Sequence, residues 1–227
     1  MDNTAYELVI GNKNWSSWSL RPWIAMTASE IPFREINVPL RRMESRSIIL
    51  EYSPSGNVPV LKTPNFTIWD SLSIIEFIAE QHSEAHIWPQ DIAARAMARS
   101  ISAEMHSSFH LLRREMPMEL LAIYPTPDIS DGVKADIRRV VAIWKMARST
   151  YEAQGPYLFG AFSAADAMFS PVATRFQTYN VKLADYGDDG AAAAYARTII
   201  EHPAMQTWRD GARSEQGGNL PAGSAFA

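Results

Sequence analysis

The hydrophobic and polar positions divide the chain into a first third of mixed period and a remainder with helical period only. Residues 5–10 (Ala-Tyr-Glu-Leu-Val-Ile) read as a strand closed by Gly11-Asn12. A Ser/Trp-rich loop follows, then a helix over 17–29 with Pro22 near its first turn, where proline is tolerated. Residues 35–38 predict a second strand, and 44–52 a short helix before the turn cluster 53–57. The runs 58–62 and 66–69, separated by Thr63-Pro64-Asn65, form a hairpin pattern. Ser71 then opens an apolar-rich helix through Gln81.

The order is β-α-β-α-β-β-α: a parallel βαβ unit, an antiparallel hairpin and a closing helix, as a thioredoxin-like domain requires. Residues 83–90 read as a polar linker with a proline, and beyond them strand signals nearly vanish. One helical stretch is expected over 91–122, interrupted at Pro117. Another is expected over 130–154, where Val133, Ile137, Val140, Val141 and Trp144 keep helical spacing. Further helices are expected over 163–179, 189–201 and 203–213, with a loose Gly/Ala/Ser-rich tail over 214–227. The expected fold is therefore an α/β thioredoxin-like domain (1–82), a linker (83–90) and an all-α helical domain (91–227).

Composition narrows the chemistry. The chain has no cysteine, so disulfides, thiolate metal sites and a protein-borne thiol nucleophile are excluded. Any thiol chemistry needs a sulfur delivered on a small molecule. With 21 basic against 25 acidic residues the formal charge is −4, which supplies no electrostatic reason for a nucleic-acid partner. No window approaches 18 uninterrupted apolar residues, so no membrane-spanning helix is expected. The opening residues have neither the basic region nor the apolar core of a signal peptide, and cytoplasm is the expected compartment. His82/His86 and His106/His110 each show H-x-x-x-H spacing but lack the H-E-x-x-H base, and no metal site is expected.

Four segments carry a family resemblance. Ser16-Ser17-Trp18-Ser19-Leu20-Arg21-Pro22-Trp23 resembles the serine-containing loop and first helix of zeta-class glutathione transferases and their bacterial relatives. Asn57-Val58-Pro59-Val60-Leu61 resembles the family's cis-proline segment, and Asp70-Ser71 with the helix after it resembles its acidic-Ser helix start. Pro156-Tyr157-Leu158-Phe159-Gly160 followed by Ser163-Ala164-Ala165-Asp166 is similar to its capping-box segment. The chain departs from the zeta pattern at Trp18, where cysteine is usual, and at Pro22-Trp23, where valine and arginine are usual.

The resemblance implies glutathione as co-substrate. A free thiol has a pKa of ~8.5, and lowering it by about two units takes ~2.7 kcal/mol of preferential stabilisation of the anion. Preorganised donors aimed at the sulfur can supply that. A serine hydroxyl after the first strand, near a helix N-terminus, suits the role. By resemblance Ser16 is the first candidate and Ser17 the second; the alternative is that the loop serines merely cap the helix. The resemblance further implies a cis bond between Val58 and Pro59 that lets an extended peptide pair with the Val58 backbone. It assigns the γ-glutamyl carboxylate to Ser71, read as the N-cap with free N–H groups beside it, and the adjacent ammonium to Asp70. Arg41, Arg42 and Arg46 are candidates for the glycyl carboxylate, and spacing does not choose among them.

The resemblance further implies an electrophile pocket between the two domains. Met105, His106, Phe109, Arg113 and Met116 fall near that surface, with His106 and Phe109 as the pocket residues of choice and Arg175 and Tyr179 as further candidates. An apolar, Met-rich cleft would suit hydrophobic electrophiles. The expected function is conjugation of the glutathione thiolate to such an electrophile by a homodimeric enzyme. The alternatives are a glutathione-dependent cis–trans isomerase of the maleylacetoacetate type and a non-catalytic binding protein of the same fold.

Overall fold

The computed structural model describes residues 6–151 and 155–217. Strand β1 (Glu7–Gly11) pairs in parallel with β2 (Arg34–Val38) through helix α1 (Ser17–Ala28). Helix α2 (Ser45–Leu50) leads to β3 (Val60–Lys62), which runs antiparallel to both β1 and β4 (Thr67–Trp69). The sheet order is β2-β1-β3-β4, closed by α3 (Ser71–Gln81).

The strand period explains the layering. Leu8, Val9 and Ile10 are all fully buried, because β1 is covered on both faces. Leu8 and Ile10 join the main core with α1, α3 and the helical half. Val9 points the other way, into a small cluster with Val38, Ile49 and Val60 under α2. Gly11, at the end of β1, admits the Leu40 side chain: a Cβ there would lie 2.4 Å from it.

The second half contains α4 (Ile92–Ser107), α5 (His110–Glu115), α6 (Asp131–Tyr151), α7 (Ala164–Thr178), α8 (Ala191–Glu201) and α9 (Pro203–Gly217). Helix α7 is buried almost all round and packs against α1, α4 and α8. A capping box starts it. Asp166 accepts hydrogen bonds from the N–H groups of Leu158 (3.1 Å) and Ser163 (2.8 Å), from Ser163 Oγ (2.8 Å) and from Tyr195 Oη (3.0 Å).

Several local expectations are corrected. The stretch 91–122 is not one helix: it breaks at Ser108 and Phe109, the latter left-handed at φ 60°, before α5 restarts. His106 and His110 therefore lie on different helices, and among the described residues no His/Cys/Asp/Glu group could hold a metal. Pro22 stands inside α1 rather than in its first turn, where it removes one backbone N–H from the helix ladder. Segment 83–90 is less polar than it reads. It holds a 3₁₀ turn (Ser83–Ala85), Ile87 and Trp88 are buried, and the Ile87 carbonyl accepts the Ala164 N–H at 2.8 Å. Helix α9 runs on to Gly217, into the stretch expected to be loose, while 218–227 lie outside the described residues, as do 152–154.

Candidate functional site

Two cavities meet at Trp18. The smaller, ≈ 250 Å³, is walled by Ser55, Asn57, Val58, Pro59, Trp69, Asp70 and Ser71. The larger, ≈ 610 Å³, lies between the α1 start and the α4–α5 region, with Arg175 of α7 at its back. A separate groove of ≈ 810 Å³ between α7 and α8 includes none of the site residues expected from sequence.

The serine loop is held from the helical half. The Leu120 and Leu121 N–H groups donate to the Asn14 carbonyl and Asn14 Oδ1 at 3.1 and 3.0 Å. Trp208 Nε1 donates to the Lys13 carbonyl at 2.9 Å, and Glu215 accepts from the Lys13 N–H at 3.0 Å. Fixed this way, Ser16 is the N-cap of α1. Its hydroxyl donates to Ser19 Oγ at 2.7 Å and accepts the Ser19 N–H at 3.4 Å. Ser16 lines neither cavity, and its one proton is already directed to Ser19, so the first-choice serine is the capping one. Ser17, one residue on, lines the larger cavity beside Trp18, and its hydroxyl has no partner among the described residues.

In the smaller cavity the Val58–Pro59 peptide is cis. Asp70, not Ser71, caps α3: its Oδ1 accepts the N–H groups of Leu72 and Ser73 at 3.0 and 3.1 Å. Those two donors are therefore not free for a ligand. Asp70 Oδ2 lies 3.1 Å from His106 Nε2, so this carboxylate already has a partner on α4. Ser71 is the first residue of α3, 1% exposed, and its hydroxyl is buried without a partner. An orphaned hydroxyl facing a polar cavity is costly unless a ligand or water completes it.

His106 lines the larger cavity, edge-on to Trp18 with ring centroids 5.3 Å apart. Burial holds its imidazole below the ordinary histidine range although Asp70 pulls the other way. Phe109 is a correction: 4% exposed, it belongs to the core, because its left-handed backbone turns the ring inward at the α4–α5 break. Met105 and Met116 are core residues as well. Tyr179 packs on Tyr124 and donates to the Pro117 carbonyl at 3.0 Å rather than lining the cavity. Of Arg41, Arg42 and Arg46, Arg41 alone reaches a cavity, the larger one, with its guanidinium 4.3 Å from the Trp15 ring centroid.

The cleft is cationic, not apolar and Met-rich. Arg41, Arg113, Arg114, Arg175, His106 and His110 line it, against one methionine, Met118. Arg21 stands behind Trp18, its guanidinium 4.2 Å from the ring centroid, fully buried and with Nε and Nη1 unpartnered. Burial, then the nearby Arg175 and Arg113, push it down to about 9. Burial, then Arg113, takes Arg175 down to about 10; its Nε donates to the Met116 carbonyl at 2.9 Å and its Nη1 to the Pro171 carbonyl at 3.0 Å. Sequence reasoning missed Arg21, Trp18 and Asn14 as parts of the site. Arg21, a charged residue followed by Pro22-Trp23-Ile24-Ala25-Met26 in the predicted helix, was the signal available.

A small mixed sheet with its closing helix beside an all-helical half is the glutathione transferase fold. The structure superposes on a glutathione transferase homolog from Burkholderia with bound glutathione at TM-score 0.69, with 20% identity, covering 92% of this chain and 98% of that one. It matches glutathione transferase Omega 3C from Trametes versicolor at TM-score 0.68, with 19% identity, covering 90% and 88%. Residues 15–81 match the family described as glutathione S-transferase, N-terminal domain. A probable maleylacetoacetate isomerase from Caenorhabditis elegans is 32% identical over 106 residues, 47% of this chain and 50% of that protein. The chain thus spans about half the length of that relative. Maleylacetoacetate isomerase from Rattus norvegicus is 26% identical over 204 residues, covering 84% of this chain and 90% of that protein. The chain resembles the glutathione transferase family, and within it the zeta class.

Proposed function

We propose that this protein is a glutathione transferase in which bound glutathione, as thiolate, attacks an electrophilic carbon. The observation that carries it is the buried, unpartnered Ser71 hydroxyl beside the Val58–Pro59 edge, in a cavity that joins a second one at Trp18. An extended peptide pairs with the Val58 backbone as an added strand would. Its carboxylate completes Ser71 at the α3 N-terminus, where the helix dipole also favours negative charge. Asp70 faces the adjacent ammonium while holding His106. The thiol then lies toward Trp18 and the first turn of α1, and Ser17 is the hydroxyl with a proton to donate to it. In this account Ser16 supports the same turn as its cap.

Residues 1–82 take the peptide, and the helical half, 91–227, forms the electrophile cleft together with the α1 start. The enzyme acts as a cytoplasmic homodimer. Calorimetric titration with glutathione tests the first step: binding at micromolar to millimolar concentration is expected, and no heat at millimolar excess would leave only the fold.

The relatives named maleylacetoacetate isomerase support a second account. There the thiolate adds to a conjugated double bond, the bond rotates, and the thiolate leaves. Turnover of maleylacetone without turnover of chloronitroaromatics favours that account, and the reverse favours conjugation. Glutathione binding with neither reaction would favour a non-catalytic binding protein.

A further inference from the structure

We infer that Trp208 and Glu215 of α9 are positioning residues for thiol activation: they set the two peptide planes that place the Ser17 hydroxyl. The inference rests on the transferase function proposed above and adds to it two residues from the far end of the chain. Helix α9 holds the Lys13 backbone at both its N–H and its carbonyl. The Glu215 carboxylate accepts the Lys13 N–H at 3.0 Å and Asn12 Nδ2 at 3.2 Å. Trp208, fully buried, donates its indole N–H to the Lys13 carbonyl at 2.9 Å. Gly211 lets the helix come this close, since a Cβ there would lie 2.6 Å from Lys13 Cδ. The Lys13 ammonium pairs with Glu35, which also accepts Trp23 Nε1 at 2.8 Å. Trp23 in turn meets the Trp208 ring edge-on, with centroids 5.0 Å apart.

A peptide unit is planar, and in its trans form the N–H and C=O point in opposite directions. The unit between Asn12 and Lys13 has its N–H on Glu215, while its carbonyl accepts the N–H groups of Trp15 at 3.1 Å and Ser16 at 2.8 Å. The next unit has its carbonyl on Trp208. Turning either plane therefore moves the turn that enters α1, and Ser17 is the first residue of that helix. Trp208 and Glu215 line neither cavity, so both act through the loop. A hydrogen bond weakens steeply as its angle degrades, and a misplacement of about 1 Å can cost about 100-fold in rate. Asn14 stays tied to Leu120 and Leu121, so removing one α9 contact loosens the loop without releasing it.

The test follows the ionisation midpoint of glutathione bound to the full chain, by thiolate absorbance near 240 nm. Trp208→Phe keeps a buried ring and removes the N–H. Glu215→Ala removes the carboxylate, and Glu215→Gln keeps an oxygen to accept the Lys13 N–H. S-methylglutathione, which has no thiol proton, reports peptide binding by calorimetry. Tyr195→Phe deletes the hydrogen bond from α8 to Asp166 and controls for lost stability alone.

Trp208→Phe and Glu215→Ala should each raise the midpoint by about one unit. From a midpoint of about 6.5, that cuts kcat at that pH about fivefold. Affinity for S-methylglutathione should stay within about twofold, and Glu215→Gln should lose most of the shift. Added to Ser17→Ala, Trp208→Phe should move the midpoint no further, because it acts through that hydroxyl. Should Trp208→Phe fail to fold, the two Glu215 variants carry the same comparison, alone and with Ser17→Ala. An unmoved midpoint, an equal shift in Tyr195→Phe, or a shift that adds to that of Ser17→Ala would overturn the positioning role and leave the transferase function standing. Failure of the unaltered protein to bind S-methylglutathione would remove the transferase function and this inference with it.

Discussion

The two loop serines can be separated by experiment because they use their protons differently. Ser16 donates to Ser19 Oγ, which also accepts the Gly11 N–H at 3.1 Å, so its hydroxyl is enclosed in the cap. Ser17 faces the cleft with a free proton. A thiol of pKa ~8.5 is ~1% ionised at pH 6.5, and each unit of lowering is worth ~1.4 kcal/mol. A hydrogen bond from a neutral hydroxyl to a charged acceptor contributes about 1.5–3 kcal/mol. Ser17→Ala should therefore raise the ionisation midpoint of bound glutathione, read by thiolate absorbance near 240 nm, by about one to two units. The value of kcat/KM at pH 6.5 should fall about 5- to 50-fold, because the thiolate fraction falls from about one half to about 9% or about 1%. Ser16→Ala should leave the midpoint in place and remove a helix cap worth about 1 kcal/mol, lowering Tm by about 2–4 °C. The reverse pattern, with the midpoint moving in Ser16→Ala and not in Ser17→Ala, would refute the assignment and show that the cap rearranges when glutathione binds.

Other outcomes follow from the same structure. Ser71→Ala should weaken glutathione binding about tenfold by calorimetry with little change in Tm, since its hydroxyl makes no bond within the fold. Asp166→Ala strands four buried donors, on Leu158, Ser163 (two) and Tyr195. At about 1 kcal/mol or more each, denaturant unfolding should show a loss of about 4 kcal/mol or more, a large share of a typical domain's stability. His106 and His202 are both held below the ordinary histidine range by burial. The unfolded chain binds protons that the native state refuses, so their contribution to stability rises as pH climbs through the window just below 6.5. The urea midpoint of the protein should therefore rise relative to that of a His106→Gln/His202→Gln variant between pH 5 and 7, a comparison in which the opposing titration of the buried Asp166 cancels; a constant difference would contradict it.

Much of the fold was legible because local pattern and tertiary demand agreed. Residues 5–10 read as a strand, as the structure has them from Glu7 on, and the Thr63-Pro64-Asn65 turn joined two strands that do pair antiparallel. The Ser163–Asp166 spacing announced a capping box that the structure contains. The errors arose where one residue's backbone changed course. Phe109 reads as part of a continuous helix, yet its left-handed conformation ends α4 and sends its ring into the core. Ser71 reads as an N-cap, but Asp70, at φ 78°, takes that position and leaves Ser71 facing the cavity unpaired.

The amino-acid order by itself determined the element types, their succession and the absence of a protein thiol, since each depends on residues close along the chain or on simple inventory. Tertiary structure alone decided which serine caps α1 and which charges line the cleft. Arg41, Arg113 and Arg175 are far apart in sequence and converge only when α1 packs against α7. Electrostatic fields add over space rather than along a chain, so no local pattern could have announced that convergence.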